Sequence, residues 1–228
     1  MTVIIKYLGH AAIYIESGEF KALIDPFLRG NPQTQKRPSD FANVSHIFVT
    51  HGHGDHLGDT VEIAKLTGAK VIANYEIVNY LMRQGVVNVH AMHIGGRVKL
   101  GFGIVKMTPA VHGSSIMEND ELIYAGNPGG FVITVDGLKI YHAGDTGLTM
   151  DLQLLKDEDL DVAILPIGGN FTMDVDDAAK AVKMIEPRKV IPIHYNTFDV
   201  IKASPERFAE LVTQAEVIIM KPDEVYTL

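Results

Sequence analysis

Between residues 44 and 56 the chain passes from a largely apolar run straight into Thr50-His51-Gly52-His53-Gly54-Asp55-His56. A run of that kind reads as a buried strand, so it delivers three histidines and one aspartate to a single sheet edge. A polar turn explains this poorly: four ligand-type side chains crowd into six residues and alternate with two glycines. Neutral imidazole and carboxylate are good ligands for zinc and other first-row divalent ions. The glycines allow a loop tight enough for His51 and His53 to face one ion while Asp55 and His56 face another. One loop cannot complete the coordination, so the chain must also bring ligands from elsewhere and hold all of them on a rigid frame.

Three further candidates stand at the ends of other expected strands. His112 follows residues 107–111 and precedes Gly113-Ser114-Ser115; Asp145 sits between Gly144 and Thr146 after residues 138–141; His194 follows residues 190–193. Ligands at strand ends are firmly held, and small neighbours leave room for a substrate. The chain has no cysteine, which excludes disulfides and thiolate metal sites and leaves nitrogen and oxygen as ligand atoms.

Around these residues the pattern alternates strands with helices. Strands are expected at 3–8, 11–16, 21–24, 44–50, 70–73, 138–141, 161–166, 190–193 and, closing the chain, 217–220. Helices are expected at 59–66, 76–83, 152–156, 174–185 and 205–213, the last with Ser204 as N-cap and Pro205 at its first position. Short strands and glycine turns fill residues 96–140. Strands and helices recur in two similar halves with no linker or repeat between them, which predicts one domain over residues 1–228. The leading architecture is an α/β (α+β) four-layer αβ/βα sandwich, which the ligand motifs select and periodicity alone would not.

These motifs resemble the metallo-β-lactamase superfamily, whose His-x-His-x-Asp-His signature is met by His51, His53, Asp55 and His56. The resemblance runs from the opening strands through Leu23-Ile24-Asp25-Pro26 to the later single ligands. It implies the metallo-β-lactamase fold and two divalent ions. His51, His53 and His112 would bind the first, Asp55, His56 and His194 the second, and Asp145 would bridge them. Zinc ranks first among the metals, with manganese, iron and nickel also compatible with such ligands. More narrowly, His112-Gly113-Ser114-Ser115, Tyr141 to Thr146, Leu165-Pro166-Ile167-Gly168 and His194 to Phe198 resemble metal-dependent hydrolases related to the ascorbate-6-phosphate lactonases. Lactamases with a cysteine in the second metal site are not matched, and diiron oxygen-reducing members carry glutamate where His53 stands.

The remaining polar residues divide by position. His10, at a turn between the first two strands, is a candidate to line the active site and touch substrate. Asn170, in the loop Gly168 to Met173, and Asn196, beside His194, are candidates to orient a polar substrate, with loop capping as the competing reading. Asp25 is a candidate to fix a ligand histidine by accepting its second N–H. His142 reads as a packed or supporting histidine, and His46, His90 and His93 as structural. Ser114 and Ser115 read as structural or substrate-facing, not nucleophilic.

The formal charge is −8, and no basic stripe is visible. Nucleic-acid binders take most of their affinity from such stripes, so no nucleic-acid partner is expected. No apolar stretch of about 18 residues suggests a membrane span; the chain is expected to be soluble and cytoplasmic, and a homo-oligomer is compatible with it. The expected function is a metal-dependent hydrolase in which a water acidified by a dinuclear site attacks a small polar ester, lactone or phosphoester, with Asp55 as the catalytic base. Two alternatives stand beside it: a phosphodiesterase or nuclease, and a non-catalytic metal-binding regulatory module.

Overall fold

The computed structural model describes residues 2–228 and is built on two seven-stranded sheets. The first third supplies β1 (Ile4–Tyr7), β2 (Ile13–Ser17), β3 (Phe20–Ile24), β4 (His46–Phe48), β5 (Lys70–Asn74) and β6 (Val89–Met92). The rest supplies β7 (Arg97–Leu100), β8 (Gly103–Pro109), the hairpin β9 (Ser115–Glu118) and β10 (Glu121–Tyr124), β11 (Gly129–Val135), β12 (Leu138–His142), β13 (Val162–Pro166), β14 (Lys189–Ile193), β15 (Glu216–Val217) and β16 (Val225–Thr227). The first sheet runs β16-β1-β2-β3-β4-β5-β6 and the second β15-β14-β13-β12-β11-β8-β7. Five α-helices accompany them: α1 (Gly54–Leu57), α2 (Thr60–Thr67), α3 (Tyr75–Arg83), α4 (Val175–Ile185) and α5 (Pro205–Leu211).

Burial follows strand chemistry. In β2, Ile13, Ile15 and Ser17 are buried while Tyr14 and Glu16 are half-exposed, the alternation of an antiparallel strand. The parallel strand β13, Val-Ala-Ile-Leu-Pro, is buried at every position because helices cover its outer face. Three apolar layers result. Ile5, Ile13, Ile24 and Phe48 of the first sheet meet Phe131, Ile133, Ile164 and Ile191 of the second. Outside the first sheet, Val71 and Ala73 pack under Ile63 of α2 and Ile77 and Leu81 of α3. Outside the second, Ala163 and Leu165 pack under Ala178 and Val182 of α4 and Phe208 of α5. The helix/sheet/sheet/helix sandwich expected from the sequence is therefore the fold.

Two local expectations change. Residues 152–156 lie within a 3-10 segment, Met150–Glu158, not an α-helix. The run 217–220 is not a closing strand: only Glu216–Val217 pairs with β14, and the chain then crosses to the first sheet, where β16 pairs antiparallel with β1. The apolar run serves another purpose, since Met220 is buried in the inter-sheet core and Ile218 packs against it.

Strand direction places the site. β1 and β3 both run antiparallel to β2, and β4 runs parallel to β3, so these three end at one edge of the first sheet. β8 and β12 both run antiparallel to β11, and β13 and β14 continue parallel to β12, so these four end at one edge of the second. Backbone bonds join the two edges: His194 N–H donates to His10 C=O at 2.8 Å and Gly129 N–H to Thr50 C=O at 3.1 Å. The carboxyl ends of parallel strands are the usual place for a ligand site.

The inter-sheet layer carries the fold without help from the site. Phe131 is fully buried, with its ring 5.4 Å from that of Phe48 at 63°. Phe131→Ala should cost about 3–5 kcal/mol in urea unfolding of the metal-free protein; a loss under about 1 kcal/mol would show that this layer is not what holds the sheets together.

Candidate metal centre

Every ligand expected from the sequence lies at these edges. His51 follows β4, while Asp55 and His56 sit on the single turn α1, whose His56 N–H donates to His53 C=O at 3.0 Å. His112, Asp145 and His194 follow β8, β12 and β14. Of the two glycines in the loop, only Gly52 is sterically required: a Cβ there would lie 2.5 Å from the Ala125 Cβ, whereas one on Gly54 meets nothing within 4 Å. Gly144, beside Asp145, has φ +61°, and a Cβ would lie 2.8 Å from that of Thr50.

Hydrogen bonds fix which ring nitrogens stay free. Asp25, fully buried at the end of β3 with φ +47°, accepts Thr50 N–H on Oδ1 at 2.8 Å. Its Oδ2 accepts the Thr50 hydroxyl at 2.6 Å and His56 Nδ1–H at 2.8 Å. Because the Thr50 hydroxyl donates to Asp25, at 3.0 Å it accepts His51 Nδ1–H. Both His51 and His56 therefore keep Nε2 unprotonated in their neutral forms. Asp25 thus supports His56 directly and His51 through Thr50. The sequence reading anticipated an imidazole partner for Asp25 and passed over Thr50, whose place directly before His51 was the available signal.

The free nitrogens converge in two groups. His51 Nε2 lies 3.0 Å and His112 Nε2 3.3 Å from His53 Nδ1. Ligand atoms of Asp55, His56 and His194, together with His10, lie within 4.8 Å of one another. Asp145 stands between the groups: Oδ2 is 3.6 Å from His112 Nε2 and 3.0 Å from His194 Nε2, and Oδ1 is 3.4 Å from His56 Nε2. His53, Asp55 and His112 are half-buried and form the open side, whereas His51, His56, Asp145 and His194 are buried.

This arrangement fits a bound cation. His56 Nε2, Asp145 Oδ1 and His194 Nδ1 are buried without a hydrogen-bond partner, and such atoms carry a desolvation cost that coordination would remove. No lysine or arginine among the described residues pairs with Asp25, Asp55 or Asp145; their charged neighbours are the histidines. Burial opposes a proton on His56, but Asp145 and Asp25 outweigh it and hold its pKa well above the usual value. Burial, reinforced by His56, holds His51 well below that value, and burial likewise lowers His53 and His112. Burial raises Asp145, yet His56 and His194 overcome it and keep this carboxylate ionised.

The residues expected to touch substrate sit differently. His10 is fully buried with both ring nitrogens engaged, Nδ1 with Thr197 Oγ1 at 2.9 Å and Nε2 with Asp55 Oδ2 at 3.1 Å, so it does not line an open surface. Asn196 takes the capping alternative: its amide donates to Ala203 C=O and accepts Ala203 N–H, both at 3.0 Å. Asn170 is exposed at φ +53° in a loop tied to the site by Met173 N–H donating to Thr146 C=O at 2.9 Å. His142 is packed, with Nε2 against Ala11 C=O and Nδ1 accepting Gly144 N–H. The Ser114 hydroxyl accepts Gly52 N–H and donates to Ala125 C=O, pinning the β9–β10 hairpin to the histidine loop. Val111 and Phe198 stand exposed close in sequence to His112 and His194, and Phe171 stands exposed in the Gly168 to Met173 loop.

A family model described as a beta-lactamase superfamily domain matches residues 21–195. The chain belongs to the metallo-β-lactamase superfamily. It is 59% identical over 223 residues to a UPF0173 metal-dependent hydrolase of Alkaliphilus metalliredigens, covering 97% of this chain and 98% of that one. A UPF0173 metal-dependent hydrolase of Pyrococcus horikoshii is 50% identical over 224 residues, with coverage of 96% and 97%. Among solved structures, Igni18, a metallo hydrolase from the archaeon Ignicoccus hospitalis, superposes with a TM-score of 0.89 at 37% identity, covering 100% of this chain and 99% of that one. The chain is accordingly a metal-dependent hydrolase of this superfamily.

The support that Asp25 gives its neighbours can be measured. Asp25→Asn leaves one oxygen for three donors and sets an amide NH2 against at least one of them, so it should weaken metal affinity about 10–100-fold, read by competition with a chromophoric chelator. Unchanged affinity would mean that His51 and His56 are oriented without it.

Proposed function

We propose that the chain holds two divalent ions, zinc foremost, and hydrolyses a small polar ester, lactone or phosphoester. His51, His53 and His112 hold one ion, Asp55, His56 and His194 the other, and Asp145 is shared. The observation that carries this reading is the position of Asp145, whose two oxygens lie within 3.6 Å of ring nitrogens from both groups. Such ions supply an acidified water near neutral pH and polarise the bond under attack.

The chain's own groups do the rest. Asp55 Oδ2 is held by His10, and Oδ1 has no hydrogen bond among the described residues; this half-exposed carboxylate orients the attacking water and accepts its proton. Burial raises Asp55, but the His10 hydrogen bond and His56 outweigh it and keep the carboxylate ionised, as a base requires. His53 and His112 wall the open side, and Phe27 and Phe198 close around His10 with ring centroids 5.7 and 5.5 Å away. Exposed Val111 and Phe198 leave room for a modest apolar flank on a substrate whose reacting group is polar.

A small molecule is preferred to nucleic acid because, among the described residues, no lysine or arginine pairs with the site's carboxylates, and the chain carries −8; polymer binding draws on many basic contacts. Any anionic group of the substrate would be met by the ions. Assays of a lactone, an aryl ester, bis-p-nitrophenyl phosphate, RNA and DNA at physiological salt should find metal-dependent turnover among the small substrates. Polymer cleavage with no small-molecule turnover would overturn the reading in favour of a nuclease, and two bound ions with no turnover of any substrate would favour a regulatory module.

Two further outcomes are expected. His53→Ala should lower metal content and cut kcat by more than the roughly 10–100-fold typical of losing a supporting partner, while leaving unfolding midpoints of the metal-free protein nearly unchanged. Activity should also fall on the acid side. Only unprotonated imidazole binds metal, and His51, His53 and His112 are shifted down, so this group should keep its ion through pH 6.5 and release it as pH falls further. A flat acid limb with metal in excess would count against an acidified water as nucleophile.

A further inference from the structure

We infer that His10 is a positioning residue for Asp55, acting as the middle member of a Thr197–His10–Asp55 chain and not as a metal ligand. This rests on the proposed role of Asp55 at the dinuclear site and adds the group that aims it.

Asp55 needs such a group. It sits on a single helical turn with its side chain 32% exposed, and its one hydrogen bond among the described residues is to His10 Nε2 at 3.1 Å. His10, by contrast, is anchored from several directions. Its N–H donates to Gln33 Oε1 at 2.7 Å, and its C=O accepts the Tyr7 hydroxyl at 3.1 Å and His194 N–H at 2.8 Å. Gln33 is itself held, donating through Nε2 to Tyr195 C=O at 3.0 Å. The backbone of His10 adopts φ +57°, a conformation rare for a residue with a Cβ, and the anchors sustain it. The ring is fully buried, 4.0 Å from that of His194. A fixed imidazole thus meets a carboxylate that has no other hydrogen bond among the described residues.

The hydrogen-bond network sets the direction of the chain. A carboxylate can only accept, so Nε2 must carry the proton that it presents to Asp55 Oδ2. Nδ1 is then a lone pair, satisfied by the Thr197 hydroxyl at 2.9 Å, which has no other partner among the described residues. The opposite tautomer would set an Nε2 lone pair against a carboxylate oxygen at 3.1 Å. Held by Oδ2, Asp55 is left with Oδ1 for the centre. Outer partners of this kind fix the orientation of ligating groups. The arrangement differs from that of His51 and His56, whose protons sit on Nδ1 and whose Nε2 atoms face the centre.

The test begins with histidine ring nitrogens observed by nitrogen-15 NMR in the full-length protein, first metal-free and then with two equivalents of zinc. His10 should show Nε2–H in both states, while His51 shows Nδ1–H, as does His56 once zinc has displaced the proton on its Nε2. An Nδ1–H tautomer of His10, with Nε2 shifted by zinc, would make it a ligand and overturn the inference. Variants supply a second readout. His10→Gln keeps an N–H donor near Nε2 and should retain both ions, with kcat within about tenfold and KM unchanged. His10→Leu should lose about 10–100-fold in affinity for one ion and a similar factor in kcat. Thr197→Val should lower kcat less than His10→Leu does. If His10→Gln loses an ion as fully as His10→Leu, the positioning role is wrong. Failure of the wild type to take up two zinc ions would refute the proposed function instead, and the metal-free tautomer would still decide the role of His10.

Discussion

The buried carboxylate of Asp25 is the contact on which the metal-centre geometry depends. A charge removed from water is costly unless its lone pairs are met, and Asp25 meets three donors: Thr50 N–H, the Thr50 hydroxyl and His56 Nδ1–H. These donors come from the end of β4 and from α1, so one side chain after β3 sets the path of the histidine loop leaving the neighbouring strand. The consequence is chemical as well as structural. Asp25 decides the tautomer of His56 directly and that of His51 through the Thr50 hydroxyl, so two imidazoles present lone pairs to the same space.

Bringing in the second sheet requires backbone that ordinary strands do not supply. The turn after β1 and the residues directly after β3 and β14 each place a side-chain-bearing residue at positive φ: His10 at +57°, Asp25 at +47° and His194 at +56°. Left-handed backbone at such residues costs of order 1–3 kcal/mol each and persists only where surrounding contacts over-determine it. Here the contacts are visible, since His194 N–H binds His10 C=O and so couples two of the turned residues across the sheets. The inter-sheet layer of Phe48, Phe131 and their neighbours supplies the stability against which this strain is held.

Much of this was legible in the sequence because the ligands are chemically distinctive and follow recognisable strands. The run His51 to His56, and the single residues His112, Asp145 and His194, could be placed at strand ends from apolar patterning alone. Strand and helix spacing allowed the four layers, but the ligand motifs were needed to select them. What stayed hidden depends on side-chain direction. Asn196 sits beside His194 in sequence and His10 far from any ligand, yet His10 points inward to Asp55 while Asn196 folds back on Ala203. Thr50, Thr197 and Gln33 are ordinary polar residues whose importance comes from the donor and acceptor they happen to meet. The crossing from β15 to β16 was hidden for a different reason: Ile218 and Met220 are apolar because they plug the core, and periodicity does not separate a plug from a strand.

Electrostatics then connects the support of the site to its selectivity. Asp25, Asp55 and Asp145 surround His56 without lysine or arginine partners among the described residues, in a chain that is acidic overall. In the metal-free protein the positive charge that these carboxylates demand is met by a proton on His56, which they stabilise against the penalty of burial. The same carboxylates favour a divalent ion, which can serve several of them together and also fill the unpartnered ring nitrogens. Proton and metal therefore compete for one prepared cavity, and that preparation comes from hydrogen bonds already present without metal. A substrate entering by the half-exposed side meets His53, Asp55 and His112 first, with the strongest carboxylate field behind them. Selection for an anionic or polarised group must then come from bound metal, not from the protein's own charge.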